Sequence, residues 1–422
     1  MSLKNTFCSS PWIHMRITNA GHYDYCRWST KVFSETSIRD QSPADFFQNS
    51  MTPIRQQLLD GEMPAGCQEC QHMEQHSKIS GRQKQLLKIG VQLSNFEKTM
   101  LSSPWVQEFS QGPSTQQLPQ DWQIDLGNYC NSACLFCTPR FSSKLATEHL
   151  KLGLIKQLPA SNWTDSPELI DRFVATLKQS PHIQYLHFIG GETLITPAFQ
   201  TMLQALIDMG LNHKATIGFT TNLSTWRSDI VELLSRFQSV HLGMSIESFT
   251  PVNAYVRWPV RQETVIENLE RWIEVGKERG WLMQFRTTPT CLTVKDLITV
   301  YDYAWTHKIA VESCNFLNKP EVLRPAVLPL QYRKPIIKNL KQWLSLRGTV
   351  SDPILNTRHL DHLDQQLLQD LTSYVNYFEN EQDQSWRLPE LIAYLKTFEP
   401  LHNNSILDYL PEYEDLFRSA GY

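Results

Sequence analysis

Three cysteines stand in one short stretch of the chain, Cys130, Cys134 and Cys137 in GNYCNSACLFC, with the spacing Cys-x3-Cys-x2-Cys. Three thiolates this close can converge on one metal centre, and soft thiolates select zinc, copper(I) or iron–sulfur. A structural zinc site takes four protein ligands, so the zinc reading needs a distant His or Cys as well. Three thiolates on a cube of four irons leave one iron open to a substrate or cofactor. A second set lies earlier: Cys8, Cys26, and the Cys-x2-Cys pair Cys67 and Cys70 in GCQEC. Four thiolates form a closed set that suits either zinc or a fully ligated 4Fe–4S cluster, and spacing alone does not choose. His14, His22, His72 and His76 lie near this set and read as exposed polar residues. Cys291 and Cys314 stand apart, and a free cysteine usually behaves as a small buried apolar residue.

The elements that must hold these thiols fall into three regions: residues 1–115, 116–325 and 326–422. In the first, Ile13–Ile17 and His22–Cys26 read as a hairpin turned by Thr18–Gly21, since Asn and Gly accept the backbone a tight turn needs. Helices are expected at about Pro53–Leu59 and Lys78–Lys88. The Ser-, Gln- and Pro-rich stretch Ser102–Gln120 reads as an exposed connection.

From Trp122 the pattern changes to apolar strand runs separated by helical segments. The runs are Trp122–Gly127, Tyr185–Gly190, Ala215–Thr221, Val240–Glu247, Trp281–Thr288 and Ile309–Leu317. Leu169–Gln179, Phe199–Gly210 and Thr264–Gly280 are helical by spacing. Repeated βαβ units imply a parallel sheet, and six strands imply a partial (β/α)6 barrel. The Cys130 loop leaves the C-terminal end of the first of these strands, where such barrels build active sites. After Pro329 the pattern is helical, and Tyr409–Phe417 reads as a packing segment.

The chain has 422 residues, 41% hydrophobic and 19% charged, with a net charge of −4. At roughly 100–200 residues per domain this length allows two to four domains around a real core. A small negative charge carries no nucleic-acid footprint. The N-terminus lacks a signal-peptide h-region, and no run approaches a membrane span. The expectation is a cytoplasmic protein, where clustered cysteines, here seven of the nine, bind metal or do redox chemistry rather than form disulfides.

The cysteine spacing and the motifs that follow it in order resemble the radical S-adenosylmethionine (SAM) superfamily. In that family a reduced 4Fe–4S cluster cleaves SAM to a 5′-deoxyadenosyl radical, which abstracts hydrogen from a substrate. The resemblance implies that Cys130, Cys134 and Cys137 hold the cluster and that Phe136 lies near the adenine. Gly190, Gly191 and Glu192 of GGET match the GGE motif that holds the SAM amino group, with Thr193 where the family commonly has proline. Thr221 and Asn222 of TTN, and Ser245 and Glu247 of SIE, fall where the family makes ribose and carboxylate contacts. The family often has Asp where this chain has Glu247. Arg257 in YVRWP resembles an arginine near the SAM carboxylate.

The early segments Cys8–Trp12, Ile54–Glu74 and Ser80–Arg82 resemble the SPASM/twitch auxiliary-cluster module, here ahead of the barrel. Leu323–Pro329 resembles the same group. The resemblance implies an auxiliary 4Fe–4S cluster on Cys8, Cys26, Cys67 and Cys70, with zinc as the alternative. Many members have paired cysteines where this chain has Cys26–Arg27. Enzymes of this type mostly modify ribosomally made peptides, by crosslinking, epimerisation or backbone excision. They imply a precursor-peptide substrate, an external electron donor and, in some cases, a separate leader-peptide recognition protein. Within that setting Cys291 or Cys314 becomes a candidate hydrogen-atom donor or cluster ligand. Arg286 is a candidate contact for a substrate carboxylate or a partner in an ion pair. Backbone excision or epimerisation is the leading expectation. A carbohydrate, nucleoside or other small metabolite as substrate, and a zinc-stabilised binding protein, are the alternatives.

Overall fold

A computed structural model describes residues 3–27, 29, 34–75, 80–105, 108–109, 112–312, 317, 319–348 and 362–422. Eight strands form one sheet in the order β2-β1-β3-β4-β5-β6-β7-β8. They are β1 (His14–Ile17), β2 (Tyr23–Asp24), β3 (Asp121–Asp125), β4 (Tyr185–Ile189), β5 (Thr216–Thr221), β6 (Ser239–Ser245), β7 (Leu282–Arg286) and β8 (Ala310–Glu312). The predicted hairpin forms, with Arg16 opposite Asp24 and Ile17 opposite Tyr23. Its turn needs glycine: Gly21 has φ +90°, and a Cβ there would lie 3.0 Å from Ile38 and Trp163.

The pairs β1–β3, β3–β4, β4–β5, β6–β7 and β7–β8 are parallel. The six strands expected from Trp122 onward are present as an α/β arrangement, and the hairpin extends their sheet to eight. Strand β1 runs beside β3, with His14 opposite Asp121 and Ile17 opposite Ile124. The reason is visible in the burial of both strands. Met15, Ile17, Trp122 and Ile124 are fully buried, and an edge of β3 left open would expose unpaired backbone groups. Strand β8 covers Ala310–Glu312 of the expected Ile309–Leu317 run; residues 313–316, and so Cys314, lie outside the described residues, as does His76.

The chain divides into two compact units. The first comprises residues 1–129, 160–219 and 227–240. It contains helices α1 (Thr52–Leu59), α2 (Gln68–Gln75) and α3 (Gly81–Lys88). Helix α3 begins at a capping box in which Ser80 and Gln83 satisfy each other's backbone amides. Its cap shortens the expected Lys78–Lys88 helix, of which residues 78 and 79 are not described. A buried charge cluster ties the hairpin to β3. The Asp121 carboxylate takes Lys88 Nζ at 2.5 Å, His14 Nδ1 at 3.2 Å and Arg27 at 3.4 Å. Here the expectation of an exposed His14 fails, because its ring is fully buried beside Asp121 where β1 joins β3. Burial alone would raise the Asp121 pKa, but His14, Arg27 and Lys88 hold it well below the usual carboxylate range. Burial lowers the His14 pKa, against the pull of Asp121.

The second unit comprises residues 130–159, 220–226 and 241–422. It holds α4 (Ser143–Lys151), α5 (Gln262–Arg279), α6 (Leu297–His307), α7 (Leu330–Gly348), α8 (His362–Asn380) and α9 (Leu388–His402). The described residues after Pro329 are mainly helical, as their spacing predicts. Tyr413 and Phe417 of the aromatic end are buried, in keeping with a packing segment. Among the described residues, no helix is long and apolar enough to cross a membrane.

Candidate functional site

The Cys130–Cys137 loop is built by local polar chemistry at the start of α4. Ser142 caps that helix by accepting from the Leu145 amide at 3.0 Å, while its hydroxyl donates to the Ser132 carbonyl at 2.6 Å. The Cys130 amide donates to Ser143 Oγ at 3.1 Å, and the Ser132 amide points at the Cys130 sulfur at 3.5 Å. A tight turn closes between the Cys134 carbonyl and the Cys137 amide at 3.0 Å. Cys134 is buried, and Cys130 and Cys137 are half-buried. Burial pushes the Cys134 thiol up to about 12 and the Cys137 thiol up to about 11. Thiols of this kind need an electropositive partner before they ionise.

Several of the sequence-selected residues of this unit surround the loop. Asn222 donates to Asn131 Oδ1 at 3.0 Å and to Ser132 Oγ at 2.9 Å, so the segment after β5 is bonded to the loop itself. Thr221 accepts from the Leu223 amide at 3.1 Å and shapes the turn that presents Asn222. Arg257 stands 3.9 Å from the Cys134 sulfur and lies 5.3 Å from the centre of the Phe136 ring. Its guanidinium also pairs with Glu247, and both groups are buried. Glu247 further accepts from the Thr288 amide at 3.2 Å. Burial raises the Glu247 pKa against the opposing pull of Arg257. For Arg257, burial works against the charge but Glu247 outweighs it and holds the guanidinium charged. Arg257 Nε is buried and meets no hydrogen-bond partner among the described residues. Ser245 ends β6, half-buried.

The GGE motif belongs to the first unit. Gly191 donates to the Gly127 carbonyl at 2.9 Å, and Glu192 to the Tyr129 carbonyl at 2.7 Å. The fit admits no side chain: a Cβ on Gly191 would lie 2.1 Å from the Tyr129 oxygen, and Gly190 sits at φ +146°. The motif therefore grips the backbone that runs straight into Cys130. The Glu192 side chain is fully buried and caps the short turn after it, accepting from the Leu194 amide at 3.2 Å.

The four N-terminal cysteines line one pocket, together with Tyr25 and Arg82. Each of three thiols has a hydrogen-bond partner. The Ser10 amide meets Cys8 at 3.4 Å, the Arg82 amide meets Cys70 at 3.4 Å, and the Tyr25 hydroxyl meets Cys67 at 3.3 Å. The Arg82 amide is available because it lies in the first turn of α3, where amides have no helical partner. The Arg82 guanidinium is fixed by Glu74 at 2.5 Å and the Phe7 carbonyl at 3.1 Å. Burial raises the Cys8 and Cys70 thiols, and pushes Cys67 up to about 11.

Cys291 is fully buried, and its thiol donates to the Val322 carbonyl at 3.7 Å while its amide donates to Leu323. Arg286 stands 3.8 Å from Glu312 across β7 and β8, which matches the ion-pair reading of that residue.

Residues 124–302 match the family model described as Radical SAM superfamily. That stretch, less than half of the chain, is similar to a radical SAM domain. The family implies an enzyme that uses SAM and a 4Fe–4S cluster. Chains of solved structures give partial likenesses. One is Streptococcus suis SuiB bound to S-adenosylmethionine, with 16% identity, a TM-score of 0.37, and coverage of 61% of this chain and 50% of that one. Another is native anSMEcpe with bound AdoMet, with 15% identity, a TM-score of 0.40, and coverage of 54% and 60%. The chain thus spans about half to 60% of those proteins' length. No curated protein matches.

The donor set of that stretch fits the group the family implies. Three thiols share one loop, and one of them, Cys134, stands 3.9 Å from a buried arginine whose Nε has no partner among the described residues. Among the described residues, no three His, Cys, Asp or Glu side chains close on the point that one metal ion would occupy. A cube of four irons takes its thiolates at wider spacing than one ion does.

Sequence reading gave no separate role to four contributors. Asn131 and Ser132 lie inside the motif and receive Asn222. Tyr25 and Arg82 serve the N-terminal thiols, and only the Ser80–Arg82 motif signalled one of them.

Proposed function

We propose that this chain is a radical SAM enzyme with two 4Fe–4S clusters that modifies a ribosomally made peptide by backbone excision or epimerisation. The observation that carries the second cluster is the convergence of Cys8, Cys26, Cys67 and Cys70 on one pocket, with backbone amides aimed at two of the sulfurs and the Tyr25 hydroxyl beside a third. The two N–H···S contacts, from the Ser10 and Arg82 amides, favour the thiolate form that a cluster needs. The same pocket supports the twitch-like reading of residues 1–115, ahead of a barrel at 116–325 and a helical extension at 326–422.

When bound, the cluster on Cys130, Cys134 and Cys137 supplies the electron that cleaves SAM to a radical able to abstract hydrogen. The chain's own residues prepare that step. Arg257 brings a fixed positive charge beside the cysteine loop and retains a free Nε donor for an anionic group. Glu247 keeps that guanidinium charged and oriented. Asn222 braces residues 131 and 132, and the GGE backbone holds residues 127 and 129. Phe136 offers an aromatic face next to Arg257, suited to a nucleobase. A donor of electrons must come from outside.

The peptide reading is tested by supplying the reconstituted enzyme, SAM and dithionite with the small peptide encoded beside its gene. Mass spectrometry should find loss of a tyrosine-derived fragment, or an unchanged mass with an inverted residue. Turnover of a carbohydrate or nucleoside with the peptide untouched would favour the small-metabolite reading.

A further inference from the structure

Helix α9 lies more than 250 residues after the cysteine loop in sequence, yet three of its side chains hold the segments that carry the cysteines and Arg257. The Tyr394 hydroxyl donates to the Leu135 carbonyl at 2.6 Å, between Cys134 and Cys137. One turn on, Glu399 accepts from the Tyr255 hydroxyl at 2.9 Å, two residues before Arg257. The same carboxylate accepts from the Ile406 amide at 2.7 Å and the Tyr422 hydroxyl at 2.9 Å. His402 stacks on Trp258, ring centres 5.0 Å apart, and meets Glu148 of α4 at 3.0 Å. The two segments so held are laced to each other. Ala133 donates to the Trp258 carbonyl at 2.6 Å, and Leu135 to the Val256 carbonyl at 2.9 Å.

This arrangement is specific in a way that generic packing is not. A loop carbonyl facing a metal-binding turn has two lone pairs and many possible orientations. Here Tyr394 takes the Leu135 carbonyl and so fixes the peptide plane between two ligand cysteines. Its ring is itself fixed by Phe398, centre to centre 5.1 Å. Glu399 and His402 hold the side chains of Tyr255 and Trp258, which flank Arg257 in the chain. One rigid helix thereby sets the separation between the thiols and the guanidinium.

We infer that α9 is a positioning element of the cysteine loop and that Tyr394 is its positioning residue, which makes cluster retention at Cys130, Cys134 and Cys137 depend on the C-terminal helix. The inference rests on the reading of that loop as a cluster site.

The test uses the full chain, reconstituted without oxygen, as wild type and as Tyr394→Phe, which removes one oxygen and keeps the ring. Iron transfer to a chelator is timed, and the EPR signal of the reduced protein is recorded with and without SAM. The SAM-sensitive part of the signal belongs to the cluster with an open iron. Loss of one buried hydrogen bond should raise the rate of iron loss from that cluster roughly fivefold and alter its SAM-dependent signal. The SAM-insensitive signal should not change. Unchanged iron loss and an unchanged SAM-dependent signal in Tyr394→Phe would overturn the inference. A wild-type protein that takes up no iron would instead overturn the cluster reading beneath it. Should the variant not fold, wild type alone decides. Coupling is reciprocal, so loading with iron must slow hydrogen exchange in residues 388–402 more than in residues 330–348. Equal slowing in both helices counts against the inference.

Discussion

The Arg257 guanidinium stands 3.9 Å from the Cys134 sulfur, in the same unit, and pairs with Glu247 through another of its nitrogens. A buried cation beside a thiol favours the thiolate, here against the burial that pushes Cys134 up to about 12. It also creates a dependency. Removing one member of a buried ion pair leaves the other charge without a partner.

Arg257→Met should therefore destabilise the metal-free protein by about 3–5 kcal/mol, the cost of breaking a buried pair from one side. The double variant Arg257→Met/Glu247→Gln should recover most of that stability while SAM cleavage stays lost. Urea unfolding of the two variants separates a structural role from a cofactor role. Equal instability in single and double variants would mean that the pair is not what holds this region.

Gly191→Ala should disturb the cysteine loop without touching a cysteine. The added Cβ would meet the Tyr129 carbonyl at 2.1 Å, next to Cys130. A shift of about 1 Å in a reacting group can cost 100-fold in rate. The expected result is a folded protein whose SAM cleavage falls by about that factor. Circular dichroism and a cleavage assay check it together.

The fold was legible because its strand runs are apolar and its helices carry three- and four-residue spacing. The order of motifs from Cys130 to Glu247 was legible because each sits at a strand end or in the turn after it, and Arg257 follows at the end of the short helix Val252–Val256. What the sequence did not carry was the pairing of β1 with β3. That contact joins residues more than a hundred positions apart and depends on His14 and Asp121 meeting in the interior. His14 looked like a surface residue because nothing in its neighbours announces a buried carboxylate at position 121. The contribution of Tyr394 was invisible for the same reason: a tyrosine at helical spacing reads as core, and its hydroxyl partner is a backbone carbonyl.

Asp121 gives a pH test of that hidden contact. Its folded pKa lies far below the ordinary carboxylate value, so its contribution is present above the unfolded pKa and is lost as pH falls through the folded one. Asp121→Asn should therefore be less stable than wild type at pH 7. The gap should hold down to about pH 4, the unfolded aspartate value, and narrow below it. Denaturant midpoints across that range check the sign. A gap that widens in acid would contradict it.

The N-terminal pocket predicts a clean division of iron. Cys67→Ser/Cys70→Ser should lose the second cluster and leave the first, because the Cys130 set shares no ligand with it. Iron should fall by about half, and uncoupled SAM cleavage should persist while substrate turnover stops. Retention of full iron would remove Cys67 and Cys70 from the ligand set.

The most direct test of the central claim is the iron and sulfide content of anaerobically reconstituted protein, measured alongside 5′-deoxyadenosine formed from SAM after dithionite reduction. About eight irons per chain with 5′-deoxyadenosine produced is the expected result. The Cys130→Ala/Cys134→Ala/Cys137→Ala variant should keep about four irons and lose cleavage. A soundly reconstituted wild type with neither iron nor cleavage would contradict it.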